Sequence, residues 1–287
     1  MKPKKLKSMK RTKRINLSIY HVFMLLLCFI LLYPALWMLS SSFKPQVDIM
    51  IKGKELIPSA VTLENYLAAF KGVGRNTFWD FARNSIIIAV GGTVGTVISC
   101  TLVAFGFARL KFPGRKQIFA VCIATMALPG MVLQIPQYLL FSKMGWVGTF
   151  LPLIVPTFFG SVSSIFMLMM FMRNVPKELD EAAKIDGCGY FGLFLRIMLP
   201  LIKPAVILLA VTTFIGQWSD FYGALIYLNK PAMYPLSLAL KMYSSDLGVQ
   251  YGPLMAMSVL SLIPILVLFV FFQKSLIEGV ATVGLKG

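Results

Sequence analysis

Asn174-Val-Pro-Lys-Glu-Leu-Asp-Glu181-Ala-Ala-Lys-Ile-Asp186-Gly187-Cys-Gly-Tyr-Phe-Gly-Leu-Phe-Leu-Arg196-Ile-Met-Leu-Pro200-Leu-Ile-Lys-Pro204 is a polar, glycine-punctuated stretch set between two apolar runs. It reads as helix, turn, helix. Asn174 is placed to cap the first helix, and Pro176 suits a first turn, where its missing N–H costs nothing. Glu178, Asp180 and Glu181 fall at the positive end of that helix, where carboxylates are favoured. Gly187 offers a left-handed stop. Leu179, Ala182, Ala183 and Asp186 are expected on one face, with the alanines leaving a shallow surface that another protein can approach closely. In the second helix Phe191, Phe194, Leu195 and Met198 follow the i, i+3, i+4, i+7 spacing of an apolar stripe. Pro200 is expected to end it. The plainer reading of the whole stretch is an amphipathic loop lying on a membrane.

The rest of the chain explains why a membrane enters. Of 287 residues, 57% are hydrophobic and only 14% charged. Soluble domains carry about a quarter charged residues. With a mean hydropathy of +0.78, the composition excludes a soluble globular enzyme. A span needs about 20 apolar residues, so six spans fit and twelve do not. The expected spans are Ile19–Ser41, Asn84–Phe107, Gln117–Leu140, Phe150–Phe171, Pro204–Leu225 and Pro253–Phe272. Pro34, Gly91, Gly92, Pro129 and Pro264 lie within them, which membrane helices tolerate. The expected fold is all-α: a polytopic membrane protein with six transmembrane helices and the quoted loop, residues 173–203, between helices 4 and 5. A basic tail covers residues 1–18, and the membrane domain covers 19–287.

Net charge is +17. No zinc spacing or aromatic-basic motif accompanies it, so nucleic acid is not the expected partner. The cations cluster beside apolar runs instead. Lys2, Lys4, Lys5, Lys7, Lys10, Arg11, Lys13 and Arg14 fill the N-terminal tail. Arg109, Lys111, Arg115 and Lys116 follow span 2. Arg173, Lys177, Lys184, Arg196 and Lys203 follow span 4, and Lys274 and Lys286 lie in the C-terminal tail. These are most of the 28 basic residues. The positive-inside rule then places both termini in the cytoplasm. Trp37, Trp79, Trp146 and Trp218 all fall near the outer surface, in the manner of an aromatic belt. The apolar run after the basic tail is too long for a signal peptide and has no small-residue cleavage site, so it is expected to be a retained span.

Between spans 1 and 2, Thr62 is placed as an N-cap for a short interfacial helix with Leu63, Tyr66, Leu67 and Phe70 at helical spacing. Cys28, Cys100, Cys122 and Cys188 form no CxxC pair, and a single His21 builds no metal site. Phe166-Met-Leu-Met-Met-Phe-Met172 has no periodic polar partners and reads as helix packing. No GxxxxGK[ST] phosphate loop, nucleophile elbow or paired catalytic carboxylate is present, so the chain is not expected to be an enzyme or to hold a cofactor or metal.

The order Glu181-Ala-Ala-x-x-Asp-Gly187, nine residues, then Ile197-x-Leu-Pro200 resembles the EAA loop in the permease subunits of ABC importers. Ser40-Ser-Ser-Phe-Lys-Pro45, Leu63-Glu-Asn-Tyr66, Asn84-Ser85, Ala104-Phe-Gly-Phe-Ala-Arg109 and Phe112-Pro-Gly-Arg115 are similar to other stations of that family. The ending Gly279-Val-Ala-Thr-Val-Gly-Leu-Lys-Gly287 is similar to the carbohydrate branch, in the manner of the short-N-terminus subunit of maltose permeases. Cys188 stands where the family commonly has Ala, a mild departure.

The resemblance implies a permease in a bacterial or archaeal cytoplasmic membrane. It would form half of a path for a sugar, such as an oligosaccharide. It implies a second, different permease subunit, two ATPase subunits holding ATP and magnesium, an extracytoplasmic solute-binding protein and membrane lipid as partners. By that resemblance Glu181 would face a basic residue of the ATPase, Ala182 and Ala183 would pack in its groove, Gly187 would allow the turn, and Asp186 would belong to the same ATPase-coupling set.

Solute contacts are drawn from polar groups in or beside spans: Gln134, Gln137, Gln217, Asp220 and Tyr222. Interhelical hydrogen bonding is the competing role for them. Three other readings stay open: an importer permease for a non-sugar solute; a secondary transporter, which would need buried ionisable residues that these spans hardly contain; and a receptor or structural membrane protein that uses the quoted loop to recruit a partner.

Overall fold

The computed structural model describes residues 3–245 and 248–284, with side chains over 16–244 and 248–277. The cations of the N-terminal tail, Lys286 and the Gly279–Gly287 ending therefore lie outside the described side chains. The backbone is mostly helical. α1 (Pro3–Ser42) is followed by α2 (Gln46–Ile51), α3 (Glu64–Lys71) and α4 (Phe78–Arg109). Then come α5 (Arg115–Thr125), α6 (Gly130–Lys143), α7 (Leu151–Ile154), a 3-10 turn over Val155–Phe159, α8 (Val162–Asn174) and α9 (Glu178–Ile185). α10 (Tyr190–Gly192) runs through a π-helical segment, Leu193–Met198, into α11 (Leu199–Leu201). α12 (Lys203–Trp218), α13 (Tyr222–Tyr227), α14 (Leu236–Ala239) and α15 (Tyr251–Gly284) complete the order.

Among the described residues, four stretches are long and apolar enough to cross a membrane: Asn16–Ser42, Phe78–Arg109, Leu151–Asn174 and Tyr251–Ile277. The other two expected spans are not single straight helices. Over Gln117–Leu140, α5 and α6 meet at a 97° bend. Pro129 is extended at this break and has no N–H to continue the helix. Over Pro204–Leu225, α12 stops at Trp218 and is preceded by the Tyr190–Leu201 run at a bend of 79°. Pro204 supplies no N–H at that second break. Six spans result if each bent pair is counted as one. The tail expected as a separate segment, 1–18, is helical from Pro3 and continuous with α1.

The described chain falls into two units. One takes in residues 1–69 and 247–260. Here the end of α1 is finished by Asn65, whose side-chain amide donates to the carbonyls of Ser42 (2.9 Å) and Lys44 (2.7 Å). The Ser42 carbonyl, the last of α1, falls among those with no partner within the helix, so the amide offsets a cost that burial would otherwise impose, and its second bond holds the turn at Lys44. Gln46 accepts from the Gly252 N–H (2.9 Å) and donates to the Val249 carbonyl (2.9 Å). Thr62 does cap α3, accepting from the Glu64 N–H at 3.2 Å. The buried side of α3 is Asn65 and Ala69, while Leu63 and Leu67 point outward. The expected apolar stripe is therefore the exposed one.

The second unit takes in residues 70–246 and 261–287 and is organised around α4. A capping box starts that helix: Asp80 accepts from the Thr77 N–H at 2.8 Å and from its hydroxyl at 2.9 Å. The helix therefore begins six residues before the expected start at Asn84. α8, the 3-10 turn and α12 pack along α4. Glycines allow that approach. A Cβ on Gly92 would lie 2.8 Å from Gln217 Cδ, and one on Gly95 would lie 2.2 Å from Thr157 Oγ1. Small residues at helix contacts let backbones come close in lipid, where little hydrophobic force drives helices together. Cys100, Ala104, Leu168, Met169, Met172 and Leu209 fill the core. The Met-rich stretch is thus packing, as its sequence suggests.

Candidate functional site

α8 ends because Pro176 follows it. Val175 is extended, as residues before proline tend to be. Asn174 consequently closes α8 as its last residue. The cap position falls on Lys177, whose carbonyl accepts from the N–H groups of Asp180 (2.9 Å) and Glu181 (3.1 Å). Glu178, Asp180 and Glu181 occupy the first turn. The far end is closed by Gly187 at φ +77°. Its N–H donates to the Lys184 carbonyl (3.0 Å), and the Cys188 N–H donates to the Ala183 carbonyl (2.8 Å). This is the Schellman arrangement, and it needs a left-handed residue where glycine sits.

The face expected to contain Leu179, Ala182, Ala183 and Asp186 divides. Ala183 and Asp180 turn inward, three residues apart on one side of α9, and Ala183 joins the core around Met172 and Leu193. Leu179, Ala182 and Asp186 remain outside, together with Ile185, which is 86% exposed. α9 therefore presents Leu179, Ala182 and Ile185 outward as a small apolar surface edged by Glu178, Glu181 and Asp186.

What holds α9 in place was not expected from the motif. Arg109, the last residue of α4, places Nε 3.3 Å from Asp180 Oδ2, with the two side chains only 2% and 12% exposed. The Arg109 Nη2 donates to the Val175 carbonyl at 2.7 Å. One guanidinium thus ties the end of α4 both to the inner face of α9 and to the turn preceding it. The available signal was an arginine at the end of one apolar run and an extra carboxylate beside Glu181, but nothing in the sequence paired them.

The segment after Gly189 also differs from the expected helix. Between Leu193 and Met198 the backbone is π-helical, which widens the turn and shifts the register. Leu193, Phe194 and Met198 are buried, whereas Phe191 and Leu195, expected in the stripe, are exposed. Phe194 packs on Phe105 of α4, with ring centroids 5.2 Å apart. The helix runs past Pro200 and breaks at Ile202.

A cleft of about 890 Å³ lies beside α9, between it and the turn that follows α4. Lys111, Arg115 and Lys116 line one side; Arg173, Lys177 and Lys184 line the other, with Asp180 and Glu181.

The expected solute residues are not brought to this cleft. Asp220 Oδ1 accepts from the Gly223 N–H at 3.0 Å and so caps the start of α13. Burial, followed by the Asp220 charge, raises the Tyr227 phenol above its usual range. Gln217 lies against Gly92 of α4. Gln134 is half-buried on α6, and Gln137 and Tyr222 are exposed.

Residues 100–281, which include α9, Asp180 and the Schellman turn, match the family described as the binding-protein-dependent transport system inner membrane component. The chain belongs to that family. It is a membrane-embedded permease subunit, and the family is one of transport subunits rather than enzymes. The arabinooligosaccharides transport system permease protein AraQ of Halalkalibacterium halodurans is 32% identical over 263 residues, 91% of this permease and 93% of that protein. Two solved structures share the fold. One, of a bacterial ABC transporter involved in import of the acidic polysaccharide alginate, has a TM-score of 0.79 at 21% identity, covering 92% of this permease and 97% of that chain. The other, a bacterial alginate ABC transporter in complex with an alginate pentasaccharide-bound periplasmic protein, has a TM-score of 0.63 at 16% identity, covering 92% and 94%.

Proposed function

We propose that this permease forms half of the translocation path of an ATP-driven sugar importer and receives force from ATPase subunits through α9. The observation that carries the reading is the build of α9: an outward apolar surface on one side and a buried ion pair to the end of α4 on the other. A helix so fixed passes a displacement to the helix around which the second unit is packed. Closure of two ATPases would then rock the permease halves as rigid bodies between two openings.

In this reading Ala182 packs in the ATPase groove with Leu179 and Ile185, and Glu181 faces a basic residue there. Asp186 and Gly187 end the helix, and the small Ala183 lets α9 sit close on the core. ATP and magnesium belong to the ATPases. The partners are a second permease subunit, two ATPases and an extracytoplasmic binding protein, with both termini in the cytoplasm. An oligosaccharide is the proposed solute because the AraQ relative carries that class by name and the structural neighbours handle alginate. Gln134, Gln137, Gln217, Asp220 and Tyr222 stay candidates for the path. The test is uptake into proteoliposomes holding the full complex. Labelled oligosaccharide should enter only with ATP inside and binding protein outside. Entry driven by an ion gradient without ATP would overturn the reading.

A further inference from the structure

The cleft beside α9 carries charge that its own chain does not balance. Lys111, Arg115, Lys116, Arg173, Lys177 and Lys184 line it. Against them stand Asp180, already paired with Arg109, and Glu181. Cations gathered in a concave site focus a positive potential into it. The start of α5 sharpens the imbalance. Gly114 turns the chain at φ +77°, and the helix then opens with Arg115 and Lys116 and no acidic residue in its first turn. Cations at the positive end of a helix are disfavoured, and the free N–H groups there suit an anion. Both features become favourable once an anion occupies the cleft.

α5 also indicates what carries that anion. From the cleft it continues as an apolar helix with Ile118 and Val121 exposed and no buried residue. A charged head at the helix start with hydrocarbon along its flank is the shape of a membrane lipid. We propose that this cleft binds the phosphate headgroup of an anionic phospholipid, with its acyl chains lying along α5. Basic pockets beside membrane helices have this capacity in general. The inference stands apart from the sugar reading, because lipid binding is measured without solute.

The test uses the assembled transporter in nanodiscs of phosphatidylcholine doped with phosphatidylglycerol, with retained lipid counted by native mass spectrometry after extraction. The wild type should retain phosphatidylglycerol over phosphatidylcholine. A Lys111→Gln/Lys116→Gln/Arg173→Gln variant should lose at least about ten-fold in that retention, since each cation near a lipid surface contributes appreciably. A control with Lys52→Gln/Lys54→Gln/Lys71→Gln should retain lipid as the wild type does. Lys116→Gln alone, at an exposed position, supplies a smaller loss if the triple variant does not assemble. Equal retention by cleft and control variants, or no preference for the anionic lipid, would overturn the proposal. Full displacement of the lipid by millimolar glycerol phosphate or inorganic phosphate would assign the cleft to a soluble phosphate and overturn the lipid source.

Discussion

Arg109 Nε stands 3.3 Å from Asp180 Oδ2, joining the last residue of α4 to the inner face of α9 in a setting almost closed to water. Neither Arg109 Nε nor Asp180 Oδ1 makes an aligned hydrogen bond among the described residues, so the contact at that point is one of charge. Removing one partner strands the other. Asp180→Asn or Arg109→Met is expected to cost about 3–5 kcal/mol of local stability, while replacing both with apolar residues should cost less. Thermal unfolding of the purified complex checks this as a double-mutant cycle. Single variants as stable as the parent would contradict a structural tie.

Gly187 separates a backbone effect from a packing effect. A Cβ there meets nothing within 4 Å, so Gly187→Ala carries only the cost of φ +77°, about 1 kcal/mol. Gly187→Pro cannot adopt that φ and also loses the N–H that reaches the Lys184 carbonyl. Transport should fall modestly for the alanine variant and be abolished for the proline variant, with membrane insertion retained in both. Uptake assays with surface labelling of the membrane fraction read the two outcomes.

The glycines of α4 give opposite expectations on one helix. Gly95→Ala drives a Cβ into Thr157 and Phe158 and should cost about 1–3 kcal/mol. Gly106→Ala meets open space and should stabilise by roughly 0.5–1 kcal/mol through helix propensity. Destabilisation of both to the same extent would show that the close approach of α4 to the 3-10 turn is not the operative feature.

Asp220 discriminates structure from solute contact. Asn accepts the Gly223 N–H as well as Asp does, so Asp220→Asn should leave stability unchanged, and the uptake KM then reads solute contact alone. Asp220→Ala should cost about 1 kcal/mol by losing the cap. A raised KM in Asp220→Asn at unchanged stability would move Asp220 into the solute path.

Helical class, the apolar stretches and the left-handed stop at Gly187 are all legible in residue order, because each depends on local chemistry. Pairings between distant segments are not. Arg109 and Asp180 are 71 residues apart, and only the folded path of the chain shows that they meet. Expected faces failed for the same reason. The spacing of Phe191, Phe194, Leu195 and Met198 assumes a constant turn, and the π-helical segment changes it. Ala182 and Ala183 are equivalent in sequence, yet contact with the core turns one inward. Prolines 129 and 204 mark the breaks in two expected spans, but the angles of 97° and 79° depend on tertiary packing.

The most direct measurement is ATP-driven uptake by the reconstituted complex carrying Glu181→Lys, alongside oligosaccharide-stimulated ATP hydrolysis. Glu181 is exposed on α9 and makes no ion pair among the described residues, so the change should spare the fold. If α9 transmits the closure of the ATPases, Glu181→Lys inserts normally, and uptake collapses while any remaining hydrolysis no longer responds to the sugar. Uptake equal to that of the parent would contradict the assignment of α9 as the coupling element.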